Sequence, residues 1–129
     1  MLPTDQSNGA PWAPGFQTIG ANSSNGLINT NKIIAVYGTG NYAASICQNY
    51  SLNGYTGWYL PSYTEFADVI FMYNSTGKGN FNTSTEYWAS TEIDNQHADG
   101  MSIVTWNNSI VVSTVVKGVN LIVRAVRAF

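Results

Sequence analysis

The stretch Gly54–Tyr73, GYTGWYLPSYTEFADVIFMY, contains the clearest local structural signals in this chain of 129 residues. Its two glycines indicate a turn, and the apolar run that begins at Trp58 favours a short buried strand. Pro61 ends that strand because proline has no amide hydrogen to donate. Ser62 and Glu65 then form an S-x-x-E capping box, which supplies acceptors to two amides at the start of a helix. The stretch therefore predicts a strand, a sharp turn and a helix in succession.

Apolar residues spaced at i, i+3, i+4 and i+7 predict the helices. One such pattern predicts a helix over Ser62–Asn74, and a second predicts a helix over Tyr42–Tyr50. A shorter helical piece is expected over Lys32–Tyr37, capped by Asn29 or Thr30.

Apolar segments separated by turn residues predict the remaining strands, and residues 93–100 are expected to form a polar loop. The predicted strands cover residues 15–19, 87–92, 101–106, 109–116 and 121–129. Asn107 and Asn108 suit the positive φ of a tight hairpin turn. Helices followed by a run of strands indicate an α+β fold.

The composition excludes several classes of protein. Charged residues make up 9% of the chain, against about a quarter in an average domain. The net charge of −2 gives no support to a nucleic-acid partner. No apolar run reaches the roughly eighteen residues of a membrane span, so no membrane insertion is expected. The surface is predicted to be neutral and rich in hydrogen-bonding groups, as suits an extracellular or multi-subunit protein.

The first residues lack periodicity and are rich in Gly, Pro, Asn and Ser. We therefore expect residues 1–14 to be a linker or stalk junction and residues 15–129 to form one domain. Met1 is followed by neither a basic segment nor an apolar one. Either the protein is not exported by a signal peptide, or this is the C-terminal piece of a longer chain.

Four motifs together resemble one family. They are Asn53–Ser62 with Glu65, Tyr87–Glu92, Ala98, and Val123–Phe129. The set is similar to the domain of unknown function that ends the Legionella collagen-like adhesin and also occurs on bacterial surface proteins and phage tail fibres. The similarity covers about residues 19–129, and Ala89 departs from the serine that is usual in the second motif.

The resemblance implies a C-type-lectin-like fold, with two helices packed on a twisted antiparallel sheet and the termini side by side. It also implies a homotrimeric tip on a fibrous stalk, located outside the cell or at the end of a virion fibre. The implied function is adhesion to host-surface glycans, most readily sulfated glycosaminoglycans. The alternative is a trimerisation cap that binds no ligand, or the receptor-binding tip of a phage tail fibre.

The hypothesised polyanion site consists of Lys32, Lys78, Lys117 and the outward member of the pair Arg124 and Arg127. Two arginines three residues apart on a strand face opposite sides of the sheet, and the inward one must be paired there. The residues alone leave open which one is inward. Because salt screens charges beyond about 8 Å, local clusters matter more than net charge. Lysines that converge on one face would favour an adhesin, and scattered lysines would favour a structural cap.

The acidic segment at the end of the strand predicted over residues 87–92 is a candidate calcium site. Glu92, Asp94 and Asp99 are oxygen ligands of the kind that calcium prefers, but their spacing matches no EF-hand loop. We expect no metal, and we expect Glu92 to accept hydrogen bonds from loop amides or to pair with Arg124 or Arg127.

Aromatic side chains that stack on sugars are a further possibility. Trp58 and Trp88 lie in apolar strands and are expected in the core, whereas Trp12 and Trp106 are flanked by flexible polar residues and are better candidates.

The residues offer little support for catalysis. Cys47 lies on an apolar helical face and is expected to be buried, and His97 is expected in a solvated loop. A nucleophile needs a base within reach, and these two residues lie in separate segments. A glycosidase needs two carboxylates about 5–10 Å apart, and Glu86 and Glu92 are the nearest pair in sequence. The sequence therefore predicts neither an enzyme nor a cofactor.

Overall fold

The computed structural model describes residues 5–74, 81–104 and 109–127. In these residues the chain forms three helices and five strands. The elements in order are β1 (Ser7–Ala10), α1 (Gly26–Tyr37), α2 (Ala43–Gln48), α3 (Tyr63–Asn74), β2 (Tyr87–Glu92), β3 (His97–Val104), β4 (Ser109–Val116) and β5 (Leu121–Val123).

The five strands form one sheet in the order β1-β5-β2-β3-β4. Neighbouring strands are antiparallel except β2 and β5, which run parallel with Tyr87 opposite Ile122. β3 and β4 are in register from His97 opposite Val116 to Val104 opposite Ser109. The α+β class predicted from the sequence is therefore confirmed.

The capping box at the start of α3 forms as predicted. Ser62 Oγ accepts from the amide of Glu65 at 3.2 Å, and Glu65 Oε1 accepts from the amide of Ser62 at 3.0 Å. Glu65 Oε1 also accepts from the amide of Gly26 at 2.7 Å, at the start of α1. A Cβ at Gly26 would lie 2.5 Å from the carbonyl oxygen of Leu60. One carboxylate therefore joins the N-termini of two helices, and only glycine fits there.

α1 begins earlier than predicted. Its cap is Asn25, whose Oδ1 accepts from the amides of Leu27 and Ile28. Asn29 and Thr30, the predicted caps, are buried inside the helix. They bond to other segments instead: Asn29 to Ser23 and Ser90, and Thr30 to Leu60. α2 is shorter than its predicted range of 42–50.

Each face of the sheet has its own apolar core. The first core contains Trp12 and Trp88 with residues of α1 and α2, and the second contains Phe66 of α3 packed on Tyr87 and Met101. Both buried indoles are hydrogen-bonded: Trp12 Nε1 donates to the carbonyl of Ala89 at 2.9 Å. Trp88 Nε1 donates to the carbonyl of Ala10 at 2.7 Å.

The prediction of a linker over residues 1–14 is wrong for the part that the structure describes. β1 pairs antiparallel with β5, and Trp12 has no exposed surface. The segment packs through one short strand and one large side chain, so it shows no periodicity. Trp12 is also excluded as a surface for stacking sugars, and Trp106 lies outside the described residues.

Other strand predictions need correction. Residues 15–19 form no strand, and β3 starts at His97 inside the segment expected to be a loop. The strand predicted over 121–129 ends at Val123, followed by a single bridge between Val126 and Tyr59. The strand predicted after Trp58 is reduced to this bridge at Tyr59. The predicted turn at 107–108 lies outside the described residues.

We expect Trp12→Ala to lower the free energy of unfolding by about 3–5 kcal/mol, because it removes a fully buried indole and its hydrogen bond. Urea unfolding followed by far-UV circular dichroism measures the change. Phe16→Ala is the control, since Phe16 is 53% exposed and its loss should cost about 0.5 kcal/mol or less. Equal effects of the two variants would show that the N-terminal segment is not part of the folded core.

Candidate functional site

Lys117 is not at the surface, contrary to the polyanion hypothesis. Its side chain has no exposed surface, and its Nζ lies 2.7 Å from Glu92 Oε2. Nζ also donates to the carbonyl of Gln17 at 3.0 Å and lies 4.6 Å from the ring centroid of Trp12. An ammonium held in this way inside the fold is not available to a ligand.

Glu92 organises the loop that precedes α1. Its carboxylate accepts from the amides of Ile19 and Gly20, each at 2.8 Å. The prediction that Glu92 accepts bonds from loop amides is confirmed. Its cationic partner is Lys117 rather than either arginine. This pairing was not predicted, because the two residues lie 25 positions apart in the chain.

Arg124 is the inward arginine of the pair. It is 1% exposed, and its Nη2 lies 2.7 Å from Asp5 Oδ1. Its guanidinium also lies over the ring of Phe81, 4.7 Å from the centroid. The prediction that one arginine is paired inside the fold is confirmed, and Arg124 is thereby excluded from a surface site.

Arg127 is the outward member. Its Nε donates to the carbonyl of Thr56 at 2.6 Å, and its guanidinium lies 4.9 Å from the ring centroid of Tyr55. Lys32 is exposed on α1, where Nζ donates to the carbonyl of Gly20 at 3.2 Å. Lys78 lies outside the described residues. Of the four bases that the structure describes, two therefore face the surface, on separate segments.

A cleft of about 480 Å³ opens on the sheet, on the side of the first core. Serine, threonine and one glutamate line it. The lining residues are Thr83, Ser84, Thr85, Glu86, Ser102 and Ser113. The volume is within the range of about 300–1,000 Å³ that small-ligand sites occupy, but such sites are usually more apolar. A hydrophilic ligand suits this lining.

The register of the strands explains why these hydroxyl groups converge. Gly100 and Ser102 alternate on β3, so they point to the same face. Gly100 is directly opposite Ser113 on β4, and directly opposite residues share a face. Glu86 precedes Tyr87, whose partner is Met101, and so lies beside Ser102. The sheet thus forms the floor of the cleft.

The loop before β2 forms the wall of the cleft and is fixed in place. Asn82 Oδ1 accepts from the amide of Ser84 at 2.9 Å and from its hydroxyl at 2.8 Å. The amide of Asn82 donates to the hydroxyl of Tyr87 at 2.7 Å. Phe81 packs against Phe66 and Tyr87 in the second core. The wall is therefore anchored to the core on one side and held by side-chain hydrogen bonds on the other.

A comparison of the chain with protein-family models, with curated proteins and with solved structures finds no match. In the part of the chain that the structure describes, no helix is long and apolar enough to cross a membrane.

A second, smaller cleft of about 150 Å³ lies at the start of α3. Its hydroxyl groups already have partners within the protein. Ser62 Oγ donates to the carbonyl of Ser24 at 2.7 Å, and Thr91 Oγ1 accepts from the amide of Tyr63 at 2.9 Å. This cleft offers a ligand fewer unused groups than the cleft on the sheet.

The titratable residues considered for metal or catalysis do not converge. His97 Nδ1 lies 2.8 Å from Asp94 Oδ1, and this hydrogen bond lowers the pKa of Asp94. Asp99 lies on β3, where burial raises its pKa. Cys47 is buried as predicted, and burial raises the pKa of its thiol. Among the described residues, no three His, Cys, Asp or Glu side chains are grouped to hold a metal.

The sequence analysis missed the cleft on the sheet because it weighed Glu86 only as a catalytic carboxylate. The available signal was the alternation of Gly100 and Ser102 with apolar residues, repeated by Ser113 in the next strand. A small or polar residue at every second position indicates a part of the strand face that large apolar side chains do not fill.

We expect Lys117→Met to lower the free energy of unfolding by about 3–5 kcal/mol, because it leaves Glu92 as an unpaired charge whose side chain is 5% exposed. Thermal and urea unfolding measure the effect. Lys32→Met is the control and should change stability by about 0.5 kcal/mol or less. The double variant Lys117→Met, Glu92→Gln should recover part of the loss, and failure of the single variant to destabilise would show that the pair contributes nothing.

Proposed function

We propose that this chain is a non-catalytic, C-type-lectin-like domain that forms the homotrimeric tip of an extracellular fibre and binds glycans on a host surface. The observation that carries the proposal is the hydroxyl-lined cleft on the sheet. The two buried basic side chains already form ion pairs within the protein, Lys117 with Glu92 and Arg124 with Asp5. The groups left to meet a ligand in the cleft are hydroxyl groups and the carboxylate of Glu86, which suit the hydroxyl groups of a glycan.

The fold is consistent with this architecture. β1 pairs with β5, so the two ends of the described chain lie side by side. Helices lie on both faces of the sheet. A domain with adjacent ends can be attached to a stalk from one side while its remaining surface stays open to a ligand. The motif Tyr87–Glu92, which carries part of the family resemblance, forms β2 at the centre of this sheet.

A sulfated glycosaminoglycan is the weaker choice of ligand. Lys117 and Arg124 are inside the fold, which leaves Lys32, Arg127 and Lys78 as bases that could meet sulfate groups. Binding through such bases should fall steeply with salt. It should also fall in the double variant Lys32→Ala, Arg127→Ala.

The alternative of a trimerisation cap without a ligand has its own supporting observation. β4 is an edge of the sheet, and its eight residues include no charged side chain. Val111, Val112 and Val116 on this strand are exposed. Edge strands in monomers are usually protected by charges, proline or bulges. This edge has none of these protections among its residues, so we propose it as part of the contact between subunits.

A glycan array that carries neutral, amino, sialylated and sulfated oligosaccharides tests the ligand-binding function. We expect binding to at least one class of glycan, with an affinity raised by the three sites of the trimer. Binding confined to sulfated glycans and abolished by salt would restore the glycosaminoglycan hypothesis. A folded trimer that binds no glycan would favour the structural cap.

Light scattering tests the assembly, and we expect the mass of a trimer of 14.0-kDa chains at micromolar concentration. Val116→Lys should shift the mass toward the monomer, because a lysine on a strand edge opposes pairing with another strand. Val36→Lys is the matched control on α1, since Val36 is 45% and Val116 43% exposed. A monomeric wild-type protein would contradict the proposed assembly, and equal effects of the two variants would contradict the role of β4.

A further inference from the structure

Glu86 differs from the other carboxylates at the sheet. Its Oε1 is buried and has no hydrogen-bond partner. Glu92 is paired with Lys117, and Asp5 is paired with Arg124. A buried carboxylate oxygen without a donor is unfavourable, so its retention calls for an explanation.

The sheet makes room for this carboxylate at Gly100. A Cβ at Gly100 would lie 3.3 Å from Glu86 Oε1 and 2.7 Å from Val115 Cγ2. Gly100 is buried, and side chains of Val115 and Leu121 occupy the space beside it. Its lack of a side chain lets the Glu86 carboxylate pack closely against the sheet. Ser102 and Ser113, which line the cleft, lie next to Gly100 on the same face of the sheet.

We propose that the cleft binds one unit of a neutral saccharide, with two adjacent sugar hydroxyls donating to Oε2 of Glu86, the carboxylate oxygen that is not buried. This inference rests on the proposed glycan-binding function, and it assigns the site and the class of ligand. The hydroxyls of Ser102, Ser113, Thr83 and Thr85 complete the contact, since each can both donate and accept. Ser84 Oγ already donates to Asn82 and can accept. Val111, opposite Ser102 on the same face, is 51% exposed and offers an apolar surface to the ring carbons.

Other classes of ligand fit this lining less well. Sulfate and phosphate groups only accept hydrogen bonds and are negatively charged, so Glu86 would repel them. A metal ion would find one carboxylate and several hydroxyls, and among the described residues no group of three His, Cys, Asp or Glu exists to hold one. An ammonium group would satisfy Glu86 but would leave most of the hydroxyl groups without partners. A polyhydroxylated ligand matches both kinds of group at once.

The test variant is Glu86→Gln, which keeps the shape of the side chain and removes its charge. We expect affinity for the best neutral glycan on the array, measured by titration calorimetry, to fall about 10- to 100-fold, as for loss of a hydrogen bond to a charged group. Asp68→Asn makes the same chemical change at an exposed position of α3 and should leave the affinity unchanged. Ser102→Ala and Ser113→Ala should each weaken binding by a few fold.

Stability gives a second readout that separates a ligand contact from a structural role. Glu86→Gln replaces a carboxylate that has one buried oxygen without a donor by a neutral amide, so its midpoint of thermal unfolding should equal or exceed that of the wild type. A structural role predicts a lower midpoint instead. Deoxy analogues of the glycan that lack one of the two adjacent hydroxyls should bind the wild type more weakly but distinguish little within Glu86→Gln.

The outcomes separate this inference from the proposed function. Glycan binding that persists unchanged in Glu86→Gln and in the serine variants would overturn the assignment of the site while the glycan-binding function stands. A preference for amino-terminated ligands that weakens with salt would overturn the neutral-sugar assignment. Absence of binding to every glycan would overturn the proposed function, and the inference with it.

Discussion

The buried ion pair between Lys117 and Glu92 is the interaction on which the arrangement of the first core depends. Lys117 follows the end of β4, and Glu92 ends β2, so the pair ties together two strands that are not neighbours in the sheet. The same carboxylate holds the amides of Ile19 and Gly20, and the ammonium lies against Trp12. Four separate segments are thereby fixed around two charges. Such a pair adds little net stability compared with apolar packing, but removal of one partner is costly. The pair therefore fixes the relative position of the segments that it joins.

The pairing of basic side chains inside the fold limits the charges that remain at the surface to bind a ligand. Lys117 and Arg124 are two of the five basic residues of the chain, and both lie inside with carboxylate partners. The exterior therefore has few strong charges and many hydroxyl and amide groups. A surface of this kind does not attract polyanions from a distance. It discriminates ligands through the geometry of short hydrogen bonds, which requires a rigid site such as the one held by Asn82 and Phe81.

The sequence predicted the features that depend on residues close together in the chain. It predicted few of the contacts between distant segments. The capping box of Ser62 and Glu65, the helix that follows it, and the strands at 87–92 and 109–116 all appear in the structure. The inward arginine and the amide contacts of Glu92 followed from the rule that buried charges need partners. The partnership of Lys117 with Glu92 did not, since it spans 25 residues and nothing local distinguishes a buried lysine. The burial of Trp12 was missed for the same reason, because a single anchor in a segment rich in Gly and Pro carries no periodic pattern.

The β3–β4 hairpin joins the two surfaces that the proposals use. Alternate residues of β4 face the cleft, as Ser113 does, while its backbone edge is open for another strand. A subunit contact along that edge would extend the sheet and place the cleft beside the interface. Three clefts would then lie at fixed mutual distances around the axis, where weak individual sites gain affinity for a multivalent surface. Assembly and recognition would thus depend on one hairpin, whose register is set over eight residue pairs from His97 to Val104. A slip of one residue in that register would move Ser113 to the opposite face and remove a hydroxyl group from the floor of the cleft.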